Sequence, residues 1–237
     1  MIEKPYIFLS ENFAKFIMDD AGKDVSARLT DLTVHSFPFE LTFFFTDQWG
    51  EFINREVDTL VLRDTNLVNA TVYAGDAYGN YTPLFEIADN RENSVFIKLA
   101  APVKTSSLRI VIAAEGNSAF TRLGQVGFYR YLCDLSALTE SSFKKDTNQG
   151  DYRVLSGAVV YYGDYDKWAA KIRMENLPQS QFDVLTEEIK SVNRLTVVPF
   201  RDFAAEEIYE CYINPEITYE VNRKTSLYAL SLEAQEL

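Results

Sequence analysis

Residues 57–74 read VDTLVLRDTNLVNATVYA and contain two runs of Val, Leu, Ala and Tyr, at positions 57–62 and 70–74. β-Branched and aromatic residues favour the pleated, half-buried surface of a sheet. The polar segment RDTN lies between the two runs. The stretch therefore predicts two short strands separated by a brief polar connection.

The same pattern continues along the chain. Apolar and polar residues alternate at 95–99, 108–112, 168–175 and 216–221, which places one row of side chains on a core and the other in water. Further apolar runs occupy 126–132, 153–162, 195–200 and 208–213. Turn signals separate them: Gly75-Asp76, Gly79-Asn80, Asp89-Asn90, Gly116-Asn117 and Asn214-Pro215. We therefore predict a mainly β protein built as a sandwich or barrel.

One segment has helical periodicity. Within 178–193, Phe182, Leu185, Ile189 and Val192 recur at steps of three or four residues, which gives one apolar helix face. Ser180, followed three positions later by an acidic residue, is predicted to cap the start of this helix. A second, shorter helix is predicted at 9–18, where phenylalanines cluster.

A polar stretch divides the chain. Residues 136–150, SALTESSFKKDTNQG, hold few large apolar side chains and predict a connector. We therefore expect one domain over residues 1–135 and a smaller one over residues 151–237. The smaller segment is still long enough to bury a core.

Charge and composition exclude several classes of protein. The 237 residues carry a formal net charge of −12, and no cluster of basic residues exceeds the pair Lys144-Lys145, so nucleic acid is not an expected partner. The chain has no continuous apolar run long enough for a membrane span, and its start lacks the apolar core of a signal peptide. Synthesis and folding in the cytoplasm are expected. Cys133 and Cys211 are predicted to be reduced core residues.

Residues suited to catalysis are scarce. His35 is the sole histidine, and a strand or loop role for it is favoured over that of a general base. The nucleophile-elbow and nucleotide-binding glycine motifs are absent from the sequence. The paired carboxylates are sequence neighbours, which point in different directions. We therefore predict no catalytic residue, no metal site and no cofactor.

Aromatic residues instead stand beside turns. Trp49 precedes Gly50, and Tyr78 and Tyr81 flank the Gly79-Asn80 turn. Aromatic rings near polar side chains suit recognition of sugars or proteins, because they combine rigid apolar area with polar edges. Trp49, Tyr78, Tyr81, Asn117 and Arg122 are the candidate ligand-binding residues; if the chain is a free carbohydrate-binding module, they are expected to converge on one end of the first domain. The alternative is that these aromatics merely close the ends of a β core.

The first domain resembles the galactose-binding-like (discoidin-type) jelly roll. The resemblance rests on residues 57–62, 64–67, 70–74 and 108–112, and on the closing segment 122–129, RLGQVGFY. It covers about residues 40–132. Gln125 stands where an acidic residue is usual in that family, whose ligand-binding residues lie on variable loops. The resemblance implies a β-sandwich jelly roll.

The second domain resembles the small β-plus-helix domains of tailed-phage tail proteins. The order of elements carries it: YRVLSG at 152–157, the strand at 168–175, the helix entered at Leu177-Pro178, VPFRD at 198–202 and a closing hairpin. We expect a small β-sandwich or barrel with one helix.

Together the two resemblances imply a non-enzymatic structural protein of a phage-like tail or baseplate, prophage or gene-transfer-agent types included. Its partners would be copies of itself in a ring, other tail or baseplate proteins, and a surface glycan; it would assemble in the host cytoplasm and reside in the virion tail. A free carbohydrate-binding module is the first alternative. A glycosidase with an appended binding domain is the second, and requires two facing carboxylates.

Overall fold

A computed structural model describes residues 6–26, 32–34, 39–47, 49–76, 79–118, 120–135, 142–153, 159–198, 208–214 and 217–237. Within these ranges the chain is mainly β-structure with one helix, which confirms the predicted fold class. The chain divides into two compact units. The sandwich unit is built from residues 12–131, and the sheet–helix unit takes its strands from the chain on both sides of it.

The elements alternate with short connections. In chain order the strands up to the end of the sandwich unit are β1 (Tyr6–Leu9), β2 (Phe16–Asp19), β3 (Leu32–Val34), β4 (Phe39–Phe44), β5 (Arg55–Arg63), β6 (Ala70–Gly75), β7 (Tyr81–Ile87), β8 (Ser94–Thr105), β9 (Ser107–Ile112), β10 (Thr121–Leu123) and β11 (Gln125–Tyr129). The remainder are β12 (Tyr131–Leu135), β13 (Ser142–Arg153), β14 (Val159–Leu177), α1 (Gln179–Val192), β15 (Arg194–Val198), β16 (Tyr209–Ile213), β17 (Thr218–Asn222) and β18 (Leu227–Glu236).

The sandwich unit has a five-stranded sheet in the order β2-β4-β9-β6-β7 and a three-stranded sheet in the order β11-β5-β8. A short pair, β10-β3, supplements them. All registered pairs are antiparallel. Eight strands in two sheets are the number that a jelly roll uses. The β-sandwich expected for the first domain is therefore present.

The core of the sandwich unit lies between its two sheets. Leu108, Ile110 and Ile112 of β9 alternate along the strand and are fully enclosed, whereas β5 is buried continuously from Val57 to Leu62. The rings of Phe43 on β4 and Phe128 on β11 meet edge to face, with centroids 5.0 Å apart. Aromatic pairs prefer this geometry because the positive ring edge faces the negative ring face. The contact joins the two sheets.

The strand registers fix two opposite ends of the sandwich unit. Phe44, Ser107, Gly75 and Tyr81 are successive neighbours across one end of the five-stranded sheet. The turns 45–53 and 76–80 leave from this end, which we call the hairpin end. The loops 64–69, 88–93 and 113–120 leave from the other end, which we call the loop end. Strands of six residues separate the two ends by about 17 Å.

The sheet–helix unit has one sheet, in the order β12-β1-β15-β16-β18-β14-β13. The long strand β18 pairs with β14 along one side, and with β17 and then β16 along the other. Helix α1 packs on this sheet through Leu185 and Ile189, both fully buried, against a core that includes Leu230 and Leu232. The predicted helix at 178–193 is therefore confirmed to within one residue at each end.

Two local predictions are wrong. Residues 9–18 are not helical: Tyr6–Leu9 and Phe16–Asp19 are strands, because their backbones pair with β15 and β4 respectively. Ser180 does not cap α1, since the helix already begins at Gln179 after Pro178, whose fixed φ of −59° suits a helix start and which provides no side-chain cap.

The domain boundary also differs from the prediction. Residues 142–150 of the expected connector belong to β13, which pairs with β14 as a long hairpin. β13 is the last strand in the order of its sheet. Near the start of the chain, β1 lies within the predicted first domain, yet it pairs with β15 of the sheet–helix unit. That unit is therefore discontinuous in sequence.

Two predicted strands are interrupted. The run 126–132 is divided at Arg130 into β11, in the sandwich unit, and β12, in the sheet–helix unit. The run 153–162 contains the end of β13 and the start of β14. These two strands pair with each other, and Arg153 lies opposite Val159. Apolar composition alone carries no signal for such breaks.

Removing the buried contact of α1 should destabilise the protein. We expect Leu185→Ala to lower the free energy of unfolding by about 2–5 kcal/mol, because the truncated side chain is fully enclosed and leaves a cavity. Glu187→Ala, two residues away on the exposed side, is the matched control and should change it by less than about 0.5 kcal/mol. Urea denaturation measures both, and equal effects would contradict the packing described.

Candidate functional site

The five candidate residues do not share one end of the sandwich unit. Trp49 and Tyr81 lie at the hairpin end, whereas Asn117 and Arg122 lie at the loop end. Tyr78 lies outside the described residues. The expected convergence on one end is therefore wrong, because β4 and β6 finish at one end while β9 finishes at the other. Ligand binding by any of these residues stays a prediction.

At the loop end, Asn117 connects two loops. Its amide oxygen accepts the backbone N–H groups of Val68 (2.8 Å) and Asn69 (3.2 Å), and its amide nitrogen donates to the carbonyls of Asn69 (2.7 Å) and Ala113 (2.8 Å). A carboxamide has two acceptor and two donor positions, so this side chain is fully used by the backbone. Asn117 therefore has a structural role and keeps no amide position for a ligand.

Asn69 and Asn90 extend this network to the third loop. The Asn69 amide nitrogen donates to the carbonyl of Glu115 (3.1 Å), and its oxygen accepts the N–H of Asp89 (2.9 Å). The Asn90 amide nitrogen donates to the carbonyl of Leu67 (2.8 Å). Gly116, with φ of +74°, permits this approach, because a Cβ there would lie 2.3 Å from the Asn69 nitrogen. Hydrogen bonds thus connect all three loops.

Asn66 holds the segment that carries the exposed groups of this end. Its amide nitrogen donates to the carbonyl of Phe120 (3.0 Å), and its oxygen accepts the N–H of Arg122 (2.6 Å). The hydroxyl of Thr65 donates to the carbonyl of Arg122 (2.7 Å). Thr121, between the two, is completely buried. The backbone on either side of Thr121 is therefore fixed to the 64–69 loop.

Phe120 and Arg122 point to the outside of the loop end. They are two residues apart and flank Thr121, which is buried. The Phe120 ring is 68% exposed, and Arg122 is exposed beside it. Arg122 was predicted from the sequence, whereas Phe120 was not. The available signal was an aromatic residue four positions after Gly116, in the Gly116-Asn117 turn signal.

The loop end is predominantly acidic. Its exposed charged side chains are Asp64, Asp89, Glu92 and Glu115, with Arg91 and Arg122. Together with the net charge of −12, this composition repels polyanions and favours neutral or cationic ligands. A flat ring and a guanidinium in such surroundings can bind one apolar face and several hydroxyl groups at once.

At the hairpin end, Asp47 organises the turn that carries Trp49. Its carboxylate oxygen accepts the N–H groups of Trp49 (2.8 Å) and Glu51 (2.9 Å), and Gly50 takes the left-handed φ of +84° that the turn requires. The indole is 80% exposed. Phe52, also missed by sequence analysis, is 63% exposed in the same hairpin.

Tyr81 is occupied within the sheet. The guanidinium carbon of Arg109 lies 3.8 Å from its ring centroid, a cation–π contact. Arg109 also forms an ion pair with Glu40, at 3.6 Å between Nη1 and Oε2. Tyr81 is only half-buried, but the face of its ring toward Arg109 is already in contact with a cation. Its position favours a structural role in the sheet.

The described residues offer little for catalysis. Cys133 and Cys211 are buried and unpaired, as predicted, and burial raises the pKa of the Cys133 thiol to about 12. Burial, with nearby Glu236 and Glu210, also raises the pKa of the Cys211 thiol. Neither thiol is a thiolate nucleophile near neutral pH. In the described ranges, no three or more His, Cys, Asp or Glu side chains are grouped as metal ligands. His35 lies outside those ranges.

No helix in the described part of the chain has the length and apolarity needed to cross a membrane.

No family model and no curated protein matches this chain. Several solved structures are similar to part of it. The family 32 carbohydrate-binding module of NanJ from C. perfringens, solved in complex with galactose, is 13% identical with a TM-score of 0.41 and covers 52% of this chain and 100% of its own. Chitosan-binding module 1 of a chitosanase/glucanase from Paenibacillus sp. IK-5 is 13% identical, with a TM-score of 0.40 and coverages of 51% and 99%.

A third similar structure is the family 32 carbohydrate-binding module of EndoD from Streptococcus pneumoniae. It is 15% identical with a TM-score of 0.36, and covers 42% of this chain and 75% of its own. None of these three is a tail protein. At such identities and TM-scores the similarity says nothing about a ligand of this chain, so the proposals below rest on its own residues.

Truncating Asn117 should loosen the loop end. We expect Asn117→Ala to lower the free energy of unfolding by about 1–3 kcal/mol, because the N–H groups of Val68 and Asn69 lose their acceptor. Amide hydrogen exchange at these two positions should accelerate as well. Asn54→Ala, at an exposed site on the same unit, is the control and should stay within about 0.5 kcal/mol. Unchanged exchange at Val68 and Asn69 would contradict the network.

Proposed function

We propose that this chain is a non-catalytic binding protein and that its sandwich unit binds carbohydrate at the loop end. The observation that carries the proposal is the pair Phe120 and Arg122, both exposed on a backbone segment that Asn66 and Thr65 hold in place. A carbohydrate ring presents an apolar C–H face and a rim of hydroxyl groups. The phenyl ring suits the first, and the guanidinium suits the second.

The fixed loops favour ligand binding over the alternative that the aromatic residues merely close the end of the β core. Binding costs free energy when mobile loops must be ordered, and a site that is already ordered avoids that cost. At the loop end, Asn66, Asn69, Asn90 and Asn117 connect the loops before any ligand arrives.

Charge selects the type of carbohydrate. Sulfated or uronic-acid polymers would meet the four carboxylates of the loop end and the net charge of −12. Neutral glycans and those with amino groups avoid this repulsion. We therefore propose neutral or amino sugars as the ligand class.

Binding at the loop end should depend on its aromatic ring and its guanidinium. We expect Phe120→Ala and Arg122→Ala each to weaken binding of a neutral or amino oligosaccharide by about tenfold or more. A glycan array identifies the ligand, and calorimetry then measures the change in affinity. Arg223→Ala, an exposed arginine of the sheet–helix unit, is the matched control and should leave affinity unchanged. Thermal unfolding of every variant separates lost binding from lost fold.

A second candidate function is assembly with further copies of this chain, as in a phage-like tail or baseplate. β17 supports it: all five residues from Thr218 to Asn222 are exposed, and among the described residues β17 pairs only with β18. An unpaired strand edge can add a strand from another molecule. Tyr219 and Val221 give this edge an apolar face, at 56% and 45% exposure.

The assembly proposal is tested by the mass in solution. We expect a ring or a smaller oligomer by light scattering, and Val221→Lys should shift it toward the monomer, because a charge on an edge strand opposes strand addition. Lys224→Ala, in the adjoining turn, is the control. A monomer at every concentration, together with absence of the chain from purified particles, would exclude this function.

A further inference from the structure

The hairpin end contains a second group of exposed aromatic rings, about 17 Å from the loop end. We propose that Trp49 and Phe52 form a second carbohydrate-binding platform, independent of Phe120 and Arg122, so that one chain can hold two segments of a polysaccharide. The inference takes its ligand class from the proposed function and differs from it in the site.

The platform is built before a ligand arrives. Asp47 accepts the N–H groups of Trp49 and Glu51, while its own N–H donates to the carbonyl of Glu51 at 2.9 Å. The N–H of Gly50 donates back to the carbonyl of Asp47 at 3.1 Å. The N–H groups of Asp47, Trp49, Gly50 and Glu51 are therefore all paired within this turn. An indole carried on such a turn remains exposed with little freedom in its backbone.

The same turn recurs, which shows that its order is local. Asp76 accepts the N–H of Asn80 at 2.8 Å, and Asp19 accepts the N–H of Lys23 at 2.8 Å. Gly79 and Gly22 take the left-handed φ that Gly50 takes in the Trp49 turn. Only the sequence Asp-x-x-Gly is common to the three. The turn geometry therefore does not account for Trp49, whose exposed indole is an addition to it.

Phe52 rests on a row of rings. Its centroid lies 5.3 Å from that of Phe44, which in turn lies 6.0 Å from that of Phe16. Phe16 and Phe44 are half-buried on paired strands β2 and β4, so they fix the ring that lies over them. Phe52 is paired across the hairpin with Thr46. The exposed face of Phe52 is therefore held by the sheet, and that of Trp49 by the turn.

Size and charge decide which occupant fits. A large aromatic side chain offers roughly 150–250 Å² for burial, so the exposed parts of the two rings offer roughly 300 Å². A stable interface with another copy of the chain needs about 800 Å² from each partner. Asp47, Glu51 and Asn54, which adjoin the two rings in sequence, are acidic or neutral, whereas anionic membrane surfaces attract basic residues. One or two sugar rings match the exposed area of the two aromatic rings. Their hydroxyl groups can donate hydrogen bonds to the oxygen atoms of Asp47, Glu51 and Asn54.

Stoichiometry tests the second platform. The probes are a glucosamine hexasaccharide and cellohexaose, titrated into the full chain by calorimetry and by tryptophan emission. We expect two oligosaccharides per chain and a change in emission as the indole is covered. Trp49→Ala should reduce the stoichiometry to one and abolish the emission change. Phe120→Ala should also reduce it to one, but should keep the emission change.

Matched variants make the result specific. Tyr212→Ala removes an aromatic residue of 44% exposure from the sheet–helix unit and should retain two sites. Asp47→Ala keeps the indole but releases its turn, and should weaken this site by about two- to tenfold, because the ligand must then order the turn. An unchanged affinity in Asp47→Ala would contradict the role of the fixed turn.

The outcomes separate the two proposals. If Trp49→Ala still binds two oligosaccharides with the original affinity, the second platform is excluded and the loop-end site stands. If Phe120→Ala has no effect while Trp49→Ala abolishes all binding, the loop-end site fails and this platform stands. If neither probe binds at millimolar concentrations, the proposed second platform is overturned. Trp49-dependent binding to phosphatidylserine vesicles alone also overturns it.

Discussion

A backbone N–H removed from water has to find another acceptor, and at the loop end of the sandwich unit asparagine side chains meet that requirement. Asn117 alone provides two acceptors and two donors to the backbone of two loops, and Asn69 brings in the third. The loops are therefore ordered by polar contacts rather than by a core of their own. Leu67 of the first loop is buried in the core of the sandwich unit, whereas Phe120 remains at the surface.

The two ends of the sandwich unit are ordered in different ways. At the loop end the hydrogen bonds run between loops, so a change in Asn66 or Asn117 affects a neighbouring segment distant in sequence. At the hairpin end, Asp47 and Asp76 each satisfy the backbone of their own turn. A substitution in one such turn leaves the others intact. Exposed aromatic residues at the hairpin end can therefore be exchanged singly, whereas those at the loop end depend on a shared frame.

Patterns of local origin were predicted well from the sequence. The alternation at 108–112 and the helical spacing of Leu185 and Ile189 both correspond to elements of the structure, because burial on one face imposes them directly. The failures involve distant partners. Strand β1 belongs to the sheet–helix unit because it pairs with β15, more than 180 positions later, and no local pattern encodes that pairing.

The candidate site residues show the same difference between features set by neighbouring residues and features set by distant contacts. Turn signals led to Trp49, which is indeed exposed in a turn that neighbouring residues hold, while its role in binding stays a prediction. The chosen group nevertheless spanned both ends, since the end at which a loop emerges depends on strand direction and sheet order. Phe120 was missed because its exposure depends on contacts of Asn66 and on the burial of Thr121, neither of which is visible in a run of letters.

The pairing of β1 with β12 affects the order in which the two units can fold during synthesis and the places where the chain can be truncated. The two strands that lead into and out of residues 12–131 are neighbours in one sheet, so the sandwich unit is an insertion in the sequence of the sheet–helix unit. During synthesis, the inserted part is complete before the ribosome has produced β15, the other partner of β1. A truncation that begins after residue 135 would also deprive the remaining sheet of Phe8, which is fully buried in its core. Residues 12–131, by contrast, keep all the strands of the sandwich unit when the chain is cut at both ends of this segment. This segment is therefore the natural unit for transfer to another scaffold.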